Sequence, residues 1–265
     1  SDRLADVLQP QLDAAKVDAD MVSGKLTTAE TAERSAFTFA RGVDAGVCLH
    51  ALLEQADFNR PIVAQAAALA PLLGRYGFES DWFADLTPML EATRLAPLSP
   101  QVRLADIPAK CRLPEMGFVL RSANLRRQQV LDWLDRPDNG LPAVVRQAAQ
   151  SLSFTDVDGF LSGFIDMVCQ DDQGRVYVID YKSNHLGMSH ADYHADALNQ
   201  AMAEHHYALQ ALIYAIAVQR HFQLRQQPLS TVHIRYLFLR GLHEHGPEGI
   251  WAWDVDAAVL SACLI

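Results

Sequence analysis

Two aspartates and a lysine stand in apolar stretches, where charged residues are costly to place. Asp166 lies inside the run GFIDMV (163–168), and Asp180 and Lys182 follow the apolar residues 176–179 within VIDYKSNHLG (178–187). Side chains at i and i+2 of a strand share one face, so Asp180 and Lys182 project together. Residues 170–174, of sequence QDDQG, have the composition of a hairpin loop. A hairpin there brings Asp166 beside Asp180. Two adjacent carboxylates at the ends of apolar strands repel each other and lose solvation, and a divalent cation relieves both penalties. Oxygen-rich sites of this kind suit Mg²⁺, Mn²⁺ or Ca²⁺. A lysine alongside lowers the pKa of an attacking water or offsets charge developing on a phosphate. Taken alone, the same D…DxK pattern also fits a strand-ending aspartate and a surface ion pair.

Those residues need strands to carry them and helices to cover them. Apolar spacing predicts helices over 43–56, 61–74 and 79–95, with Pro61 suited to a first turn. Prolines at 97, 100, 108 and 114 then punctuate a loop-rich stretch. Strands are expected at 115–120, 160–169, 175–181, 231–239 and 249–253, and helices at 126–134, 142–151 and 192–223. Helices come first, then strands with helices packed against them, which gives an α/β or α+β core under an N-terminal helical layer. Residues 1–42 are polar and Ala/Thr-rich with weak periodicity and read as a connector or loosely held edge.

Half of the 265 residues are hydrophobic and 20% are charged, a globular composition. The net charge of −10 argues against a protein that coats nucleic acid electrostatically. Basic residues do gather at Lys110, Arg112, Arg121, Arg126 and Arg127, and either line a strand path or form a solvated face. The four cysteines, Cys48, Cys111, Cys169 and Cys263, form no CxxC pair, which disfavours a zinc or iron–sulfur site and a disulfide framework. Reduced thiols and a cytoplasmic location are the expectation. No apolar run reaches the length of a membrane span, and the first ten residues lack a signal-peptide layout. Ser23-Gly24-Lys25 ends like a P-loop, but Ala19 and Leu26 occupy positions that need Gly and Ser or Thr, so no ATP site is expected. His190 and His194 have i, i+4 spacing, yet no glutamate follows His190, so they read as solvated histidines.

The wider wording resembles the RecB-type nuclease domains of the PD-(D/E)XK nuclease superfamily. GFIDMV and VIDYKSNHLG carry the resemblance first. RGVDAGVCLHALLE (41–54), RLPEMGF (112–118), HYALQALIY (206–214) and YLFLRG (236–241) extend it in the family's order, from about residue 40 to 253. It implies a restriction-endonuclease-like mixed central sheet flanked by helices, with residues 41–265 as the nuclease domain. Residues 1–40 would be a tether from a helicase region.

Carried onto this chain, the resemblance implies that His50, Asp166, Asp180 and the Tyr181 carbonyl hold the metal, Mg²⁺ by default. Lys182 would be the catalytic lysine. Glu115 would stand at the edge of the site, reaching the metal through water or orienting Lys182. Gln210 and Tyr214, i and i+4 on one helix face, and Tyr207 a turn back would bind substrate. The function so implied is metal-dependent hydrolysis of DNA, single-stranded by preference. It would act in a RecBCD-type enzyme with RecC- and RecD-like subunits, in double-strand-break repair and recombination. A docking module for the RecA recombinase is the alternative from another class. A stand-alone AddB-like or CRISPR-associated nuclease is a third, disfavoured by the scattered cysteines. For His50 among leucines, and for Tyr207 and Tyr214 at helical spacing, the residues themselves favour a core position, and Glu115 reads equally as a strand-edge charge. Weak intrinsic DNA affinity follows from the net charge.

Overall fold

The computed structural model describes residues 33–121, 126–152 and 159–261. The P-loop-like tripeptide, Cys263 and most of the expected tether lie outside them. Three helices open the described chain: α1 (Val43–Gln55), α2 (Ala66–Arg75) and α3 (Trp82–Arg94). A two-stranded hairpin, β1 (Pro97–Ser99) and β2 (Val102–Arg103), follows. Next come β3 (Arg112–Arg121), α4 (Arg127–Asp135), α5 (Ala143–Ala149), β4 (Phe160–Gln170) and β5 (Val176–Lys182). The chain continues through α6 (Ala195–Glu204), α7 (Tyr207–Leu224), β6 (Thr231–Phe238), β7 (Ile250–Asp256) and α8 (Ala257–Ser261).

The main sheet runs in the order β3-β4-β5-β6-β7. β5 and β6 are parallel and the other pairs antiparallel. Every residue of β5 is buried, as expected of a strand covered on both faces. Its alternation feeds two cores. Val176 and Val178 pack under α7, while Tyr177, Ile179 and Tyr181 pack under the layer of α1, α2 and α3. Residues 207–219 of α7 are buried without a break and, apart from Gln210 and Gln219, apolar, so this stretch sits inside the molecule rather than on it.

The expected helical stretch 192–223 divides into α6 and α7. The division falls at His206, whose φ of 54° is left-handed and ends a right-handed helix. The expected helix 61–74 opens with a tight 3₁₀ turn at Ile62–Gln65. The β1–β2 hairpin and α8 carry too few residues to show periodicity. Residues 33–40 pack on the body rather than hanging from it. Phe39 is fully buried against Phe78 and Trp82, at ring distances of 4.9 and 5.3 Å. Arg34 pairs with Glu79 and Asp81. Among the described residues no helix is long and apolar enough to cross a membrane.

Candidate active site

Asp166 occupies a break in two ladders at once. Toward β3, the register pairs Pro114 with Met167 and Met116 with Ile165, with no pairing between Glu115 and Asp166. Glu115 there has a φ of 48°, a left-handed backbone that costs a non-glycine residue about 1–2 kcal/mol. Toward β5, the pairing runs from Gln170–Val176 to Met167–Ile179 and stops one step short of Asp166 and Asp180. The break resets which way side chains point. Ile165 packs in the core under α7, whereas Met167, two residues on, packs in the core under α1–α3. Asp166 is left between the two layers.

Its carboxylate takes the place of the missing ladder partner. Asp166 Oδ2 accepts the Tyr181 N–H at 2.8 Å and stands 3.5 Å from His50 Nδ1. The His50 ring reaches in from α1, edge-on to Tyr181 at 5.9 Å. On the α7 side, Lys182 Nζ lies 2.8 Å from Asp180 Oδ2 and donates to Gln210 Oε1 at 3.2 Å. The ammonium also faces the Tyr207 ring at 4.1 Å and the Tyr236 ring at 5.3 Å. Burial pushes the Asp180 carboxyl up, against the pull of Lys182 and with the help of the Asp166 charge. Burial acts on Asp166 in the same sense, yet His50, the Tyr181 amide and Lys182 together hold it below the usual carboxylate range.

The structure thus brings His50, Asp166, Tyr181, Asp180 and Lys182 together at the splayed end of β4 and β5. Glu115 is on the neighbouring strand at the same level, exposed. Gln210, Tyr214 and Tyr207 are buried, and their polar groups bond to protein. Gln210 Oε1 also accepts the Tyr236 hydroxyl at 2.8 Å, and its amide donates to the Tyr214 hydroxyl at 3.0 Å. Tyr214 donates to the Phe164 carbonyl at 3.0 Å, and Tyr207 to Asn184 Oδ1 at 3.2 Å. These three side chains stand behind Lys182 rather than along an open surface.

Among the described residues no group of three or more His, Cys, Asp and Glu side chains closes a metal cage. The residues present nonetheless fit a hard divalent cation. Asp180 Oδ2 is buried and has no hydrogen-bond partner among the described residues. Its close neighbour is the Lys182 ammonium at 2.8 Å. A buried carboxylate oxygen left in that state is unusual, and with Asp166 and His50 it supplies oxygen and imidazole donors.

A family model described as the PD-(D/E)XK nuclease superfamily matches residues 25–254. The chain belongs to that superfamily. Its five-stranded mixed sheet between helical layers is the restriction-endonuclease-like fold. Similar proteins include the RecBCD enzyme subunit RecB of Escherichia coli K12, 34% identical over an alignment of 264 residues that covers 97% of this chain and 21% of that protein. The RecBCD enzyme subunit RecB of Mycobacterium tuberculosis H37Rv is 29% identical over 258 residues, 83% of this chain and 23% of the relative. That of Haemophilus influenzae Rd is 28% identical over 225 residues, 83% and 18%. The chain spans about a fifth of the length of the curated relatives it matches.

In this PD-(D/E)XK chain several supporting residues carried no role in the sequence. Tyr236 and Asn184 bond the Lys182 surround as described. Arg240, buried, donates to the carbonyls of Ser183, Ala36, Phe39 and Ala40. It thereby ties the end of β5 to the segment leading into α1. Its signal was only a charged residue at the end of an apolar strand. The basic residues grouped in the sequence do not form one path. Arg112 is held by Asp57 and Asn59, and Arg127 by the Leu152 carbonyl, while Arg121 and Arg126 are exposed. The thiols of Cys48 and Cys169 are pushed up by burial, to about 11 and about 12, which makes them poor nucleophiles.

Proposed function

We propose that this chain hydrolyses DNA phosphodiesters at the Asp166–Asp180–Lys182 cluster with a divalent metal, Mg²⁺ in the first place. The observation that carries the reading is the double ladder break that sets the Asp166 carboxylate, His50 and the Asp180–Lys182 pair at one sheet end. His50, Asp166, Asp180 and the Tyr181 carbonyl would hold the cation. When bound, such a cation polarises the scissile phosphate and makes water a competent nucleophile at neutral pH. Lys182 sets a positive charge beside Asp180, where it stabilises charge growing on a phosphate oxygen. Gln210 and Tyr236 fix that ammonium from behind, and Tyr214 fixes Gln210, so these three are positioning residues. Tyr207 supplies the ring face beneath Lys182, and Glu115, at the edge of the site, would reach the metal through water or orient Lys182.

The relatives are subunits of an enzyme named RecBCD. On that likeness we assign the chain to a RecBCD-type helicase–nuclease, acting with RecC- and RecD-like subunits in double-strand-break repair and recombination. The substrate there is DNA delivered as a single strand. The test is cleavage of a labelled single strand with Mg²⁺ by the wild type, Asp180→Ala and Lys182→Ala. Activity confined to the wild type supports the assignment, and equal activity in all three sinks it.

A further inference from the structure

Beyond Asp166, the antiparallel pair β3 and β4 carries a solvent-exposed face. Leu161 and Ile165 of β4 and Phe118 and Leu120 of β3 turn into the core under α7. The alternate residues therefore point the other way, toward the side from which His50 reaches Asp166. Three of them are large, apolar and open to solvent: Phe160 at 56%, Phe164 at 52% and Val119 at 67% exposed. In its first half, β4 is covered on one face only, while its second half, from Ile165 to Cys169, is buried throughout. Among the described residues, the helical layer that covers β5 on this side leaves Phe160, Phe164 and Val119 exposed.

Part of the Phe164 position has a structural explanation. Its ring lies over Gly117, its cross-strand partner, where an added Cβ would meet the ring at 3.3 Å. Covering a strand glycine accounts for an aromatic at this position, but not for a second exposed ring four residues back. Phe160 and Phe164 share a face, about 13 Å apart along the strand. Phe164 is two residues from Asp166, about 7 Å along the same strand. Opposite Phe160 stands Arg121, exposed. Exposed aromatic rings in line, with a cation at the far end and a phosphate-cleaving cluster at the near end, match what a single nucleic-acid strand requires. Bases stack on rings without regard to sequence, and cations meet the backbone.

We propose that Phe160 and Phe164 form a stacking platform for the bases of a single strand and guide it along β4 to Asp166. This rests on the nuclease reading of the site and names the part of the chain that grips the strand. The net charge of −10 gives the platform its purpose. With little electrostatic attraction available, ring stacking supplies affinity that does not depend on basic residues.

The test is equilibrium binding without metal, so that cleavage does not intervene. Fluorescence anisotropy would compare a labelled oligothymidylate with the same strand made abasic. The wild type should prefer the base-bearing strand, and Phe160→Ala and Phe164→Ala should each weaken binding to it by about tenfold. Affinity for the abasic strand should not move. Phe164→Trp should keep the full preference and Phe164→Leu reduce it as alanine does, which separates stacking from apolar bulk and from misfolding. A wild type that does not distinguish the two strands, or alanine variants that distinguish them as fully as the wild type, would overturn the platform. Cleavage by Asp180→Ala is scored separately, so failure of the nuclease reading shows there and leaves the binding comparison standing.

Discussion

Lys182 and Arg240 are both almost wholly buried, at 2% and 1% exposed, and the protein holds them in opposite ways. Arg240 directs its guanidinium at four backbone carbonyls, on Ser183, Ala36, Phe39 and Ala40. Lys182 meets a carboxylate, a side-chain amide and two ring faces. The planar fork of Arg suits several fixed acceptors, while the ammonium of Lys is a point charge that can turn toward a new anion. Burial of a cation therefore does not mark a reactive site by itself. The kind of partner does: carbonyls of distant segments mark a clamp, and titratable, rotatable side chains mark a site that can respond to a ligand.

Substitution of Lys182 should separate the two roles most widely. Lys182→Met should lower the rate of single-strand cleavage by about 10²–10⁴-fold, the usual weight of a positioned proton-transfer or charge-stabilising group. Combined with Asp180→Asn, so that no unpartnered charge stays buried, it should leave stability within about 1 kcal/mol of the wild type. The reason is local: both members of the ion pair are buried, and removing them together leaves neither charge stranded. A large loss of stability in that double variant would show that the pair holds the fold and would dissolve the contrast.

Arg240→Met should do the reverse. Truncation strands buried carbonyls in two segments, which costs about 3 kcal/mol or more in chemical denaturation. Arg240→Lys should recover little, because one ammonium cannot span that fork of acceptors. Between these extremes, Tyr236→Phe removes one hydrogen bond to Gln210. It should cost about 1 kcal/mol and reduce cleavage more than it reduces strand affinity, since Gln210 orients Lys182 and lies behind it.

The same contrast explains what the sequence made legible. Asp180 and Lys182 share a face because of an i, i+2 rule, and the QDDQG loop places Asp166 beside them by hairpin geometry; both are local facts. The break at Glu115 is not local. A glutamate with left-handed backbone gives no composition signal, and the break follows from having different cores on the two sides of Ile165 and Met167. Spacing put Gln210 and Tyr214 on one helix face, but only the burial of α7 decides that this face meets Lys182 from behind. Arg240 reaches residues 200 positions away, so nothing near it in sequence announces a clamp. The packing of residues 33–40 is not legible for the same reason, because the partners that hold Phe39 and Ala40 lie in other elements.

Arg235 is the intermediate case and makes the sharpest small test. Its guanidinium donates to the carbonyls of Leu98 and Ile234, like a clamp, and to Asp254 Oδ1 at 2.6 Å, like a site. His233 Nδ1 meets the same carboxylate oxygen at 3.0 Å. Burial alone would raise the Asp254 carboxyl, but His233 and Arg235 outweigh it and hold it at about 2. A folded-state pKa below the unfolded value contributes stability above the unfolded pKa, and that stability is lost as pH falls through the folded one. The contribution should therefore be full at neutral pH and fade between about pH 4 and about pH 2. Asp254→Asn should lose only about 0.5–1 kcal/mol at pH 7, since the carboxylate is half exposed and screened. Denaturation curves of the two proteins should converge as the pH falls through that window. If they stay apart at pH 2, Arg235 is held by its carbonyls and the carboxylate is incidental, which places it with Arg240.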